Sequence, residues 1–193
     1  MKIRSKVTIG LLSSAMCVAA LVHAQSYKYK KVTGPESVTF KTTAARKTIQ
    51  INGYVPGLAI AQSEGANIVL KADLEKMVMG EDADMGTMDK ARADHAKKEL
   101  RVKQHPMAEL KVKKDSVKVG KDLKGSGKFS LAGKQQDIQF KYTAVEAGNK
   151  VKVKGSFVIS LSKHGIKEIC MTEICVADQV TVNAAFTMEK APE

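Results

Sequence analysis

Few residues in this chain are spaced for chemistry, and those few favour binding over catalysis. Arg92, His95 and Glu99 recur at i, i+3 and i+7, so they share one face if the segment is helical. A guanidinium beside an imidazole can hold a phosphate or a carboxylate. Arg92 and His95 are therefore candidate head-group contacts for an anionic amphiphile. Cys170 and Cys175 are five residues apart. In an oxidising compartment such a pair is expected to form a disulfide. The spacing is not that of a redox-active C-x-x-C, and a metal site built from these thiols and His164 lacks a fourth ligand.

The other motifs lead to exclusions. His95, His105 and His164 are separated and show no metal-ligand spacing. Met77, Met79, Met85 and Met88 flank an acidic run at 81–84. Thioethers suit Cu(I), but methionine is also a flexible filler of apolar gaps. Read as a calcium loop, the run fails, because Gly86 and Ala93 stand where oxygen ligands are needed. With no nucleophile–base set and no phosphate loop, the expectation is no catalytic residue, no metal and no cofactor.

The elements that must position these residues are strands. In residues 150–161, KVKVKGSFVISL, Val151, Val153, Phe157, Ile159 and Leu161 fall on one side and lysines and serines on the other. Alternate side chains of a strand point to opposite faces, so one face suits a core and one suits water. The same period returns at Val38/Phe40, Ile68/Leu70, Ala108/Leu110/Val112, Phe129/Leu131, Ile138/Phe140/Tyr142 and Val180 to Met188. Seven or eight such segments predict an all-β, antiparallel domain, a container or a sandwich. Gly148-Asn149, between two alternating runs, predicts a hairpin. Residues 88–99, rich in Ala, Lys and Glu, predict one short inserted helix over an end of the barrel.

Residues 1–24 read as a signal peptide: Lys2, Arg4 and Lys6, an apolar stretch, then Val22-His23-Ala24. Cleavage there would leave one domain, residues 25–193, in the periplasm or secreted. Removing those three cations takes the formal charge from +12 to +9. The lysines alternate with apolar residues along strands, and no aromatic-interleaved basic stripe occurs. Nucleic acid is therefore not an expected partner, whereas peripheral contact with a membrane is possible. Oligomeric state is not legible.

Several motifs in order resemble the YceI-like family. They are Arg92-x-x-His95, Glu99-Leu100-x-Val102, His105-Pro106-Met107-Ala108-Glu109-Leu110, the strand and turn at 127–135, FVISLSKHGI at 157–166, and Val176-Ala177-Asp178-Gln179-Val180-Thr181-Val182. The resemblance spans about residues 36–188. Departures are Ala93 for the acid after Arg92, Ala132 for a turn histidine, and Lys163-His164 for Asp-Phe. The resemblance implies an all-β, antiparallel, eight-stranded, lipocalin-like barrel holding a polyisoprenoid amphiphile in its lumen. The lumen positions are then Phe40, Leu70, Leu110, Phe129, Phe140, Tyr142, Val153, Phe157, Ile159, Val182, Ala184 and Phe186. Two functions follow as expectations: an exported non-enzymatic lipid carrier, or a periplasmic stress-response or interaction module with an empty lumen.

Overall fold

A computed structural model describes residues 29–30, 37–44, 50–61, 66–80, 87–171 and 173–190. Residues 1–24, read above as a signal peptide, lie outside the described residues. The strands are β1 (Tyr29–Lys30), β2 (Ser37–Thr43), β3 (Gln50–Pro56), β4 (Leu58–Ala61), β5 (Asn67–Asp73), β6 (Val78–Met79), β7 (Met107–Lys113), β8 (Gly120–Leu131), β9 (Lys134–Ala147), β10 (Lys150–Ser160), β11 (Cys170–Met171), β12 (Ile174–Cys175) and β13 (Gln179–Lys190). One helix, α1 (Thr87–Glu99), is inserted between β6 and β7.

Eleven strands form one antiparallel sheet in the order β4-β5-β7-β8-β9-β10-β13-β2-β3-β6, with β1 pairing on β13. The sheet curls around an apolar interior in a lipocalin-like way. The expected count of eight strands is corrected. Gly57, at φ 72° in the left-handed region, separates β3 from β4, and the two-residue strands β1 and β6 add short ladders. A two-residue strand carries no readable period. The helix expected at 88–99 is present one residue longer.

Alternation places the core. In β10 the burial pattern tracks the sequence, with Val151, Val153, Phe157 and Ile159 buried and Lys150, Lys152, Lys154 and Val158 exposed. Its neighbours bring Phe140 and Val182 opposite Phe157, and Phe186 and Ala144 opposite Val153. The β9–β10 hairpin turns at Gly148-Asn149 as expected, with Ala147 opposite Lys150. Gly125 serves another need. The Phe140 ring lies where a Cβ on Gly125 would stand, so an aromatic side chain can lie flat on the inner face.

α1 stops by a backbone device. The N–H of Arg101 donates to the Lys98 carbonyl at 3.0 Å and that of Val102 to the Lys97 carbonyl at 2.9 Å. With Arg101 at φ 54°, this is a Schellman ending in which arginine takes the usual glycine position. Val102 is buried behind it, and Ala93 and Leu100 tie α1 to the interior.

His164, 1 % exposed, sits under the sheet with its ring edge-on to Phe129 at 5.5 Å. Nδ1 lies 3.0 Å from the Lys134 carbonyl oxygen. A carbonyl only accepts, so Nδ1 carries the proton. Burial holds the imidazole pKa below its ordinary value, against the opposing pull of that hydrogen bond. A histidine with a depressed folded pKa is more readily protonated when unfolded. Stability should therefore fall as pH drops below the unfolded value of about 6.5. Thermal denaturation between pH 7.5 and 5 should show a falling melting temperature. His164→Phe should flatten that part of the profile, and an unchanged slope would assign the effect to other groups.

Candidate functional site

The curled sheet encloses an apolar cavity of about 150 Å³. Phe40, Leu70, Leu110, Phe129, Phe157, Ile159, Val182 and Ala184 line it, with Leu74, Met77, Met79, Leu100 and Leu161 among the rest. Thr42 is the one polar side chain of its wall among the described residues. Its hydroxyl donates to the Gln179 carbonyl at 2.9 Å, so the wall exposes no unsatisfied donor there. A second cavity of about 60 Å³ lies deeper, lined by Phe140, Tyr142, Val153 and Phe186. The Tyr142 hydroxyl accepts from the Lys118 backbone N–H at 2.9 Å. Leu70, Leu110, Phe157 and Ala184 border both spaces and form the waist between them. All twelve residues named as lumen positions thus line one cavity or the other.

The opposite end leads to a pocket of about 380 Å³ bounded by α1, β3 and the β11–β12 hairpin. It meets the main cavity across Ile51, Met79, Ala96, Ile169 and Val176. Arg92 and His95 both line it, with Asp89, Gln50 and Asn52. The helical spacing that suggested them thus brings them to one mouth. Arg92 Nη1 reaches Asp89 Oδ1 at 3.0 Å, so Asp89 is its acid partner. That pair is exposed and holds the guanidinium at the rim more than it stabilises the fold. The Nε2 atom of His95 is buried with no hydrogen-bond partner among the described residues. An unsatisfied buried nitrogen costs free energy unless something supplies its hydrogen bond.

The Cys170–Cys175 bond is formed, with an S–S distance of 2.08 Å. It staples the β11–β12 hairpin, in which Cys170 faces Cys175 and Met171 faces Ile174. Met171 and Ile174 line the mouth, a role their sequence pattern did not announce; only the cysteine spacing marked this hairpin. The Glu168 carboxylate lies within 4.8 Å of both sulfurs. Oxidised sulfurs are not thiolate ligands, so this trio does not form a metal site while the bond stands. Met77 and Met79, weighed above as soft ligands, are instead buried apolar wall.

Residues 29–188 match the YceI-like domain family. The chain belongs to the YceI-like family. The matched span begins somewhat before the region in which the motifs were recognisable. A polyisoprenoid-binding domain from Saccharophagus degradans, implicated in plant cell wall breakdown, shares the fold. Its TM-score is 0.63 at 13 % identity, with 86 % of this chain and 99 % of that one covered. BcnA from Burkholderia cenocepacia follows at 0.54 and 15 %, covering 79 % of this chain and 95 % of its own. At these identities the likeness is one of fold. No curated protein matches this YceI-like chain in sequence.

The stapled hairpin closes a short loop, so the bond should add roughly 2 kcal/mol of stability through the unfolded chain. Non-reducing peptide mapping should recover Cys170 joined to Cys175. Denaturant unfolding with and without reductant should differ by about that amount, and two freely alkylated thiols in the native protein would refute the pairing.

Proposed function

We propose that this protein is an exported, non-enzymatic binding protein that holds an isoprenoid-type amphiphile with its tail in the lumen. One observation carries the reading. An apolar cavity meets, at one end, a roomier pocket that has an arginine and a histidine on its wall. That arrangement suits a molecule with an apolar tail and a polar head. The polyisoprenoid-binding domain from Saccharophagus degradans, which shares the fold, supports the tail chemistry. The charged, apolar and small-residue sequence of positions 1–24 supports export.

The volumes add a condition. An apolar cavity of about 150 Å³ takes one benzene-sized group. A tail longer than one or two isoprene units must therefore part the waist at Leu110 and Phe157 to reach the deeper cavity. Burial of such a tail drives binding by the area it removes from water, about 25 cal/mol per Å², before ordering costs. No reacting group is required. At the mouth, Arg92 supplies charge and His95 Nε2 supplies the hydrogen bond that the protein leaves unmade.

Two substitutions separate tail from head. Ala184 borders both cavities, so Ala184→Trp should fill the waist and lower the affinity for a polyprenyl alcohol and for its phosphate alike, by at least tenfold, in a protein that still folds. Arg92→Gln should weaken the phosphate by about tenfold and leave the alcohol unchanged, since a charge-assisted contact is worth about 1.5 kcal/mol or more. Fluorescence-displacement titrations of both ligands, with circular dichroism as the folding control, read these differences. Full lipid stoichiometry in a folded Ala184→Trp protein would remove the tail from the lumen. Equal losses for both ligands in Arg92→Gln would leave Arg92 only its bond to Asp89.

A further inference from the structure

The outer face of the sheet carries positive charge that acids such as Asp122 and Asp137 only partly balance. Register places Lys124 directly opposite Lys141 across β8 and β9. Lys154 stands opposite Thr143, one outward position along from Lys141, and Lys152 stands opposite Val145. Like charges facing each other across strands destabilise a sheet. Elsewhere facing lysines, Lys111 and Lys128 across β7 and β8, are each offset by an acid. On β5 and β7, Lys71 and Lys111 both reach Glu109, at 3.4 and 3.0 Å. At the other end of β8, Lys128 reaches Asp137 at 2.9 Å. Lys124, Lys141, Lys152 and Lys154 have no ion pair among the described residues.

The same face also shows apolar groups to solvent. Three large apolar side chains are exposed among the described residues, and two of them, Val145 at 44 % and Val158 at 52 %, stand on this face. Between the lysines the surface is hollowed over small side chains. One groove of about 460 Å³ runs from Lys141 to Lys154 over Gly155 and Ser156. Another, lined by Lys124, Lys141, Lys163 and Val158, adjoins it.

We propose that the outer face of β8, β9 and β10 is a docking surface for an anionic lipid bilayer. The lysines form a broad lattice of point charges, as suits a surface of many head groups better than a single fork-bound ligand. Their aliphatic stems and the two valines can lie at head-group level while the ammonium groups stay hydrated. The face offers neither an exposed aromatic ring for base stacking nor an arginine for base edges, which disfavours nucleic acid. Docking here does not depend on the lumen holding any ligand.

Sedimentation of the purified protein with vesicles tests this. The protein should pellet with phosphatidylcholine vesicles that contain phosphatidylglycerol, stay free of pure phosphatidylcholine vesicles, and be released by high salt. A lysine near an anionic surface contributes about fivefold in affinity. The triple change Lys124→Gln, Lys141→Gln and Lys154→Gln should therefore weaken vesicle binding by roughly a hundredfold. The same three positions changed to arginine should retain it. Lys98→Gln, Lys103→Gln and Lys113→Gln together remove equal charge elsewhere and should cost much less. Leu110→Trp, at a lumen position that lines neither groove, should bind vesicles like the parent protein, which separates this surface from the lumen. Equal loss in both glutamine triples, no pelleting at low salt, or tighter binding to a single-stranded oligonucleotide than to the anionic vesicles would overturn the proposal.

Discussion

Everything in this molecule depends on a curled sheet whose inner face is apolar but not filled. The hydrophobic effect curls the sheet, because Val151, Val153, Phe157, Ile159, Val180 and Val182 leave water only when it bends around them. If every inward position were large, the interior would pack solid. It does not, because Gly125, Gly155, Ala72, Ala108 and Ala184 are interleaved with the large residues. Phe140 lying over Gly125 and Phe40 lying over Gly53 show the compensation, since rings cover the gaps that absent side chains leave. What remains is space in two compartments, with a waist at Leu70, Leu110, Phe157 and Ala184 between them.

That balance links fold to function. A packed core resists change by even a methylene group. A core with a cavity has already forgone those contacts and gains them back when an apolar chain enters. The mouth follows the opposite logic. There α1 brings Arg92 and His95 to a pocket that the main cavity reaches through Met79 and Ala96, and the stapled hairpin forms the facing wall. The helix can do this because Ala93 and Ala96 are small enough for it to sit close. Its end is fixed by backbone hydrogen bonds at Lys97 and Lys98.

Much of this was legible in sequence because a strand's period is two and its faces differ. Alternation alone separates Val153 from Lys154 and Phe157 from Val158, and it sends all twelve lumen residues inward. The hairpin at Gly148-Asn149, the helix near 88–99 and the cysteine pair were legible from turn chemistry, composition and spacing. The split at Gly57 and the ladders of β1 and β6 were not, since two residues have no period and their pairing is decided across the sheet. The Asp89 partner of Arg92 follows from helical spacing, since residues three apart are neighbours. Met171 and Ile174 escaped notice because a residue of a two-residue strand becomes a wall residue only through tertiary contact.

The central claim is that the interior holds the apolar tail of a lipid. Native mass spectrometry of the protein isolated from the cells that make it tests this most directly. The account predicts one copurifying molecule per chain, released by organic extraction, whose fragments are spaced by the mass of an isoprene unit. Repeated isolation of clean protein with no bound molecule, or of a ligand without an isoprenoid tail, would contradict it.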